Sequence, residues 1–196
     1  YETEIPGSCS GEYTVSRTFI ATDDCGNTSI ATQIIDVIDT TSPEFTFVPD
    51  SYTLDCTEEI PSDEAVANDG CGDVSIEVIE QTTPGSCSGE YTITRMFTAT
   101  DDCGNSTSVS QLITIVDITA PVFTFVPESY SAECSDFHPM EEATAYDECG
   151  DVNIEIIEQT IPGLCSGEYT ISRTFIATDD CGNASVASQL ITIVDN

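Results

Sequence analysis

Tyr91-Thr-Ile-Thr-Arg-Met-Phe-Thr-Ala-Thr-Asp-Asp-Cys-Gly-Asn105 is the stretch whose reading decides the fold. Tyr91, Ile93, Arg95, Phe97 and Ala99 fall on one side of an extended chain, and Thr92, Thr94, Thr98 and Thr100 on the other. Alternation with a period of two specifies a half-buried β-strand, and threonine and aromatic residues suit a pleated surface. Asp101 to Asn105 then supplies residues that close turns.

The pattern Tyr-Thr-x-x-Arg-x-Phe-x-Ala-Thr-Asp-Asp-Cys-Gly-Asn occurs at 13–27, 91–105 and 169–183, a period of 78 residues. Cys9, Cys87 and Cys165 keep that period, as do Cys25, Cys103 and Cys181, and the pairs Cys56/Cys134 and Cys71/Cys149. Residues 79–117 and 157–195 agree at 30 of 39 positions. The chain therefore divides into a C-terminal half-repeat, 1–39, and two full repeats, 40–117 and 118–196. The half-repeat begins where no folded domain should begin, so its upstream strands are expected from earlier in the same chain or from another one.

Working outward from the long strand, Glu44 to Val48 and Tyr52 to Cys56 are short strands bounded by Pro43 and Pro49. Val74 to Glu80 alternates, Thr82 to Gly89 reads as a turn, and Ser108 to Asp117 is the last strand. No segment carries a helical period with caps. The expected class is all-β, with tandem, disulfide-bonded, immunoglobulin-like β-sandwich repeats of about 78 residues. A barrel with the same strand number is the alternative; the short linkers favour sandwiches strung end to end.

Charge narrows the function. The chain of 196 residues holds 36 acidic side chains against three arginines, Arg17, Arg95 and Arg173, for a net charge of −33. Such a surface repels phosphate backbones and anionic lipid, which excludes nucleic acid as a partner. The absence of lysine excludes Schiff-base chemistry. The longest apolar runs, such as Ile76 to Ile79 broken by Glu77, are far shorter than a bilayer span, so no direct membrane insertion is expected. Ten cysteines and few large apolar residues describe a thin-cored extracellular or cell-surface chain. No secretory leader is visible, which is expected of a mature chain or an excerpt.

Four cysteines in a repeat allow three pairings. Cys87 and Cys103 flank the long strand, on the order of 35 Å apart at roughly 3.3 Å per residue. A disulfide needs Cα atoms within about 7 Å. Cys71 and Cys87 flank another strand and fail likewise. A meander places Cys56 and Cys87 at one end and Cys71 and Cys103 at the other. The expected bonds are Cys56–Cys87, Cys71–Cys103, Cys134–Cys165 and Cys149–Cys181, with Cys9 and Cys25 pairing outside this chain.

The repeated Ala-Thr-Asp-Asp-Cys-Gly-Asn, followed by Ile-Val-Asp-Ile-Thr-Ala-Pro at 115–121 and Val-Ile-Asp-Thr-Thr-Ser-Pro at 37–43, resembles the hyalin-repeat (HYR)-like and related immunoglobulin-like repeats of large bacterial surface proteins. The cysteine-bearing form is most similar to tandem arrays of Bacteroidota-type adhesins and surface filaments. The resemblance spans the whole chain and implies an extracellular stalk, adhesin or fibre. It supplies neither an activity nor a ligand.

Asn27, Asn105 and Asn183 each head an N-glycosylation sequon at the same repeat position. They are expected to carry glycans, with Thr40 and Thr41 as linker positions for O-glycans; turn chemistry is the competing role. The resemblance implies structural Ca²⁺ at repeat junctions. Asp39 or Asp117 would combine there with Asp69, Asp73, Asp147 or Asp151, hard oxygen donors of the following loops; the alternative is solvated carboxylates. The strand-borne Arg17, Arg95 and Arg173 are expected in structural ion pairs with carboxylates of their own repeats.

Gly85-Ser86-Cys87-Ser88-Gly89 has the form of a hydrolase elbow, but that device needs a helix after the nucleophile and a histidine partner, and a strand follows here. His138, the only histidine, reads as a loop residue. Glu58-Glu59 and Glu141-Glu142 are adjacent loop residues with no cleft to make them a glycosidase pair. No enzyme activity is expected, and no cofactor beyond structural Ca²⁺ and covalent glycans. The leading expectation is a structural segment of a glycosylated surface stalk or self-assembling fibre, whose partners are copies of itself or further repeats. The alternative is an adhesin module that recognises carbohydrate or protein and uses these repeats as a spacer.

Overall fold

The computed structural model of the chain describes residues 1–62, 64–136, 140–165 and 167–195; His138 lies outside them. The described residues are all-β. Three strands, β1 (Glu2–Pro6), β2 (Tyr13–Thr22) and β3 (Thr28–Val37), form an antiparallel sheet in the order β1-β2-β3. The middle repeat contributes β4 (Glu44–Phe47), β5 (Tyr52–Asp55), β6 (Val66–Asn68), β7 (Val74–Pro84), β8 (Tyr91–Asp101) and β9 (Ser106–Val116). The last repeat follows suit with β10 (Val122–Phe125), β11 (Tyr130–Glu133), β12 (Thr144–Tyr146), β13 (Val152–Pro162), β14 (Tyr169–Asp179) and β15 (Ala184–Val194).

Each full repeat sets a two-stranded sheet, β4-β6 or β10-β12, beside a four-stranded one, β5-β9-β8-β7 or β11-β15-β14-β13. The short strand β5 runs parallel to β9 in the register Tyr52↔Ile113 to Asp55↔Val116, and β11 runs parallel to β15 from Tyr130↔Ile191 to Glu133↔Val194. The arrangement is the immunoglobulin-like sandwich expected from the alternation.

Alternation also fixes the core. Ile93, Arg95, Phe97 and Ala99 are buried on β8, with Gln111, Ile113 and Ile115 on β9. Phe175, Ala177, Gln189, Ile191 and Ile193 repeat this in the last repeat. The three-residue strands β6 and β12 escape a reading of the sequence, because they are too short to show a period. The β7 strand extends through Thr82 and Thr83, residues expected in a turn; the corresponding β13 pairs with β14 as far as Pro162↔Tyr169. β-Branched threonines favour the longer hairpin.

By compactness the chain forms two units: residues 1–51, 61–81 and 93–112, and residues 52–60, 82–92 and 113–196. The boundary passes through β7, β8 and β9, not through the linkers of the sequence repeats.

The disulfides correct the expectation. Cys9 bonds to Cys103 within the first unit, and Cys56 to Cys149 and Cys87 to Cys181 within the second. These replace Cys56–Cys87, Cys71–Cys103, Cys134–Cys165 and Cys149–Cys181, and Cys9 finds its partner inside the chain. Every bond joins a cysteine of one repeat to a cysteine of the next, at separations of 93 or 94 residues. The span of β8 does forbid Cys87–Cys103 within a repeat. The same two classes of cysteine meet once the second belongs to the following repeat. Cys25, Cys71, Cys134 and Cys165 are exposed free thiols.

Candidate functional site

The residues that recur beside the disulfides gather into two matching clusters, one in each unit. In the first, the turn Asp101 to Asn105 closes with Asp101 N–H donating to the Asn105 carbonyl (3.1 Å), and Gly104 takes φ +93°. An L side chain is strained at that φ, which explains the glycine of the motif. The Asp101 carboxylate accepts the backbone N–H of Cys103 (2.9 Å) and Asn105 (2.8 Å) and the side-chain amide of Asn105 (2.9 Å). The same amide reaches the Asp39 carbonyl (3.3 Å). In the second cluster Asn183 links Asp179 (2.9 Å) to the Asp117 carbonyl (3.1 Å). The motif asparagine thus ties its own turn to the linker that precedes its repeat.

Gly11 and Gly89 allow close approach at the same places. A Cβ on Gly11 would lie 2.8 Å from the Cys71 Cβ and 2.9 Å from the Asp39 Cβ; on Gly89 it would lie 2.8 Å from the Asp117 Cβ and 3.0 Å from the Cys149 Cβ. Ser10 donates its N–H (2.9 Å) and its hydroxyl to Asp102, and Ser88 donates its hydroxyl to Asp180. These are contacts from the Gly-Ser-Cys-Ser-Gly type of loop, whose role is therefore at the junction.

Carboxylates collect in these clusters. Oxygens of Asp39 and Asp69 lie within 4.8 Å of each other and of the Cys71 sulfur. Oxygens of Asp117 lie within 4.8 Å of Asp147 and, in a second grouping, of Asp179. Asp39, Asp101, Asp117, Asp147 and Asp179 are all buried. One oxygen of Asp39 accepts the Thr41 N–H (3.0 Å) and hydroxyl (2.6 Å), and one of Asp117 accepts the Thr119 N–H and hydroxyl (both 3.1 Å). The other oxygen, Oδ2 in each, is buried without a hydrogen-bond partner.

The field is felt at Cys71, where Asp39 first, then burial, Asp69 and Asp101 push the thiol above its ordinary range. At Asp101 burial opposes ionisation, but the Asn105, Gly104 and Cys103 hydrogen bonds outweigh it and hold the carboxyl below its ordinary value. Of the residues expected at a metal, Asp39, Asp69, Asp117 and Asp147 come together, while Asp73 and Asp151 are exposed and outside these groups. Asp179 was not foreseen. It sits far along the sequence from Asp117, and only the junction turn brings it in.

The arginines form one repeated ion pair, each with a glutamate 15 residues earlier on the neighbouring strand: Arg17–Glu2 at 2.7 Å, Arg95–Glu80, and Arg173–Glu158 at 2.9 Å. Arg95 also donates to the Pro61 carbonyl (3.0 Å). Arg173 donates to the Glu141 carbonyl (2.8 Å) and Gln189 Oε1 (3.0 Å), and lies 5.1 Å from the Phe175 ring centroid. The positive charges of the chain are thus committed outside the carboxylate clusters.

The sequon asparagines differ in their surroundings. Asn105 and Asn183 are half-buried, and each donates its amide to two oxygens. Asn27 is exposed and its amide reaches Asp23 at 2.8 Å. Thr40 and Thr41 are exposed linker residues.

Residues 46–115 match the HYR-like domain with 4 cysteines. The match lies within the middle repeat, 40–117, and the Asp-Asp-Cys-Gly-Asn motif that it includes recurs at 23–27 and 179–183. No curated protein matches the sequence. Among solved structures, mouse clustered PcdhgC3 EC1-3 is 13% identical over 96% of this chain and 79% of its own, with a TM-score of 0.36. Drosophila N-cadherin EC1-4 is 13% identical over 95% and 58%, with a TM-score of 0.39. Human mucin-like protocadherin EC1-2 is 9% identical over 79% and 98%, with a TM-score of 0.33.

Proposed function

We propose that this chain is a structural segment of an extracellular stalk or self-assembling fibre at a bacterial cell surface, in which 1–39, 40–117 and 118–196 are successive modules of one array. The observation that carries this reading is that every disulfide joins one repeat to the next. Cross-links of that kind do little for a module that acts alone and a great deal for an array that must stay connected. Disulfides persist in oxidising surroundings outside the cytosol, and the HYR-like match agrees with a repeat module of this type. The partners are further repeats or further copies of the same sequence. Images of native particles are expected to show continuous fibres or surface stalks. Isolated particles whose repeats bind a glycan array would move the function to the adhesin alternative.

A structural Ca²⁺ belongs to this reading. Carboxylates held this close, most of them buried and Asp69 half-buried, repel one another unless a cation or a proton intervenes, and the unpartnered oxygens of Asp39 and Asp117 are donors of the hard type that Ca²⁺ takes. Asp39 with Asp69, and Asp117 with Asp147 and Asp179, are the proposed protein ligands. Calcium should raise the melting temperature, and Asp117→Asn should abolish the rise contributed by the second cluster. A melt indifferent to chelator removes the cation from the proposal.

Glycans complete it, with Asn27 occupied before Asn105 and Asn183, whose amides would forfeit junction hydrogen bonds, and with Thr40 and Thr41 as O-linked positions. Intact mass measures this directly; the bare polypeptide mass in native material would eliminate the glycans.

A further inference from the structure

The middle repeat has copies of its motif on both sides in the sequence, and it still leaves one strand edge open. Among the described residues β7 and β13 each end the strand order of their sheet, bonded on one side to β8 or β14. Both run for 11 residues, Val74–Pro84 and Val152–Pro162. An edge of that length presents a row of main-chain donors and acceptors to any chain that can add a strand.

The hairpins fix which residues face outward. Gly85 donates its N–H to the Glu90 carbonyl (2.8 Å), and Gly163 donates to Glu168 (2.9 Å). In an antiparallel ladder such bonded pairs alternate with unbonded ones. The β13–β14 register is unbroken from Val152↔Asp179 to Pro162↔Tyr169. Counting back from Gly163, the main-chain groups of Glu155, Ile157 and Gln159 point to β14, and those of Ile154, Ile156 and Glu158 point outward. The same count from Gly85 turns Ile76, Val78 and Glu80 outward on β7. Pro84 and Pro162, which have no N–H, fall on the outward side, where a proline breaks no bond of the sheet.

Beside this edge of β7 lies an apolar groove of about 280 Å³, lined by Glu64, Ala65, Ile76 and Val78. Val78 is 49% exposed, and its counterpart Ile156 is 37% exposed although it pairs with the fully buried Phe175. The core-facing side of the edge strand is thus only partly covered in both full repeats. Glu142, Ala143, Ile154 and Ile156 repeat the groove residues one period later.

Charge selects the occupant. Glu77 is exposed on β7 and Glu64 is exposed at the groove. A second copy would bring the same glutamates, a net charge of −33, and arginines already paired with Glu2, Glu80 and Glu158. Carboxylates guard an edge against a strand of the same kind, and they favour a strand that sets cations opposite them.

We propose that the open edge of β7 and its groove dock an extended segment of a different, basic polypeptide, in which apolar residues alternate with lysine or arginine. Its main chain pairs with Ile76, Val78 and Glu80. Its apolar side chains lie over Ala65, Ile76 and Val78, its cations meet Glu77 on the other face, and Glu64 adds to the attraction. In strand addition the main chain supplies affinity, and pockets for alternate side chains supply selectivity. This goes beyond the array reading, because it names a partner other than a further repeat, and it holds for stalk and fibre alike.

The probe is the peptide acetyl-Lys-Val-Lys-Val-Lys-Val-Lys-amide, added to the full chain in about 0.15 M salt, where weak long-range attraction is screened. Residue-resolved amide exchange at Ile76, Val78 and Glu80 is expected to slow ~10-fold as those groups leave solvent. Glu77 and Ile79, already bonded to β8, should not change. A peptide of equal charge with its central valine replaced by proline should give no such protection. Equal protection by both peptides would mean a polycation held by net charge alone and would overturn the proposal. In the protein, Val78→Pro removes an outward donor and no bond to β8, and should weaken binding about 10-fold. Glu77→Lys, which leaves the main chain intact, should weaken it about 3-fold; an affinity unchanged by Glu77→Lys counts against the charge selection and sinks the basic partner. Slowed exchange at the same three amides in the protein alone, growing with its concentration, would assign the edge to a second copy and overturn the proposal as well.

Discussion

Residues 1–39 and residues 157–195 are the same structural element in two settings. Both fold as a long antiparallel sheet with an arginine at its centre. In the half-repeat the Arg17 side chain is 44% exposed and Phe19 lies open; in the full repeat Arg173 is 4% exposed and Phe175 is buried. The sheet and its ion pair are thus local properties of the second half of a repeat. The core is a shared property that exists only when the first half is laid across it. Stability is correspondingly uneven along the chain.

The largest effect should come from the covalent links. Replacing Cys56 and Cys87 together with serine is expected to lower the stability of the last repeat by several kcal/mol, since each disulfide contributes roughly 2–4 kcal/mol. Thermal melts of the double variant check the size. Non-reducing peptide maps of the parent check the pairing, because a Cys56–Cys87 peptide there would contradict the inter-repeat scheme. Phe175→Ala should cost about 3–5 kcal/mol by opening a core cavity, whereas Phe19→Ala should stay within about 0.5 kcal/mol. If the two substitutions cost the same in denaturant titrations, the contrast between covered and uncovered sheets is wrong.

Arg173→Met should destabilise by roughly 1–3 kcal/mol, because it leaves the Glu141 carbonyl and the Gln189 amide oxygen without their donor. Arg17→Met, an exposed pair, should fall within about 0–1 kcal/mol. The smallest effect expected is the pH dependence of the Ser10–Asp102 contact. The Ser10 hydroxyl, then its backbone N–H, hold the Asp102 carboxyl below the ordinary value of 3.8. A depressed folded-state value means that this contribution is present above pH 3.8 and fades as the pH falls below it through the folded value. Ser10→Ala should therefore shift the melt at neutral pH and not in strong acid; an equal shift at both would assign the effect to packing.

What could be read in advance was what is local. Alternation from Tyr91 to Ala99 fixes a strand and its inward face without any knowledge of neighbours, and burial follows it residue by residue. The glycine and asparagine of Asp-Asp-Cys-Gly-Asn are legible as turn residues. The second function of Asn105 and Asn183, tying the turn to the preceding linker, is not, because the Asp39 and Asp117 carbonyls lie 66 residues away. The cysteine pairing was hidden by the period itself. When every cysteine recurs each 78 residues, a class of pairs excluded within one repeat returns as a pair between repeats, and spacing cannot tell the two apart. Asp179 escaped for the same reason. It is remote from Asp117 along the chain and becomes a neighbour only when one repeat's turn meets the previous repeat's last strand.

The two bonds Cys56–Cys149 and Cys87–Cys181 have a consequence for how the chain survives a cut. They tie residues upstream of the linker at Ile118 to Pro121 to residues downstream of it. A protease that cuts the backbone between Thr119 and Ala120 would leave residues 1–119 and 120–196 as one molecule, separable only after reduction. Connectivity here does not depend on an unbroken main chain.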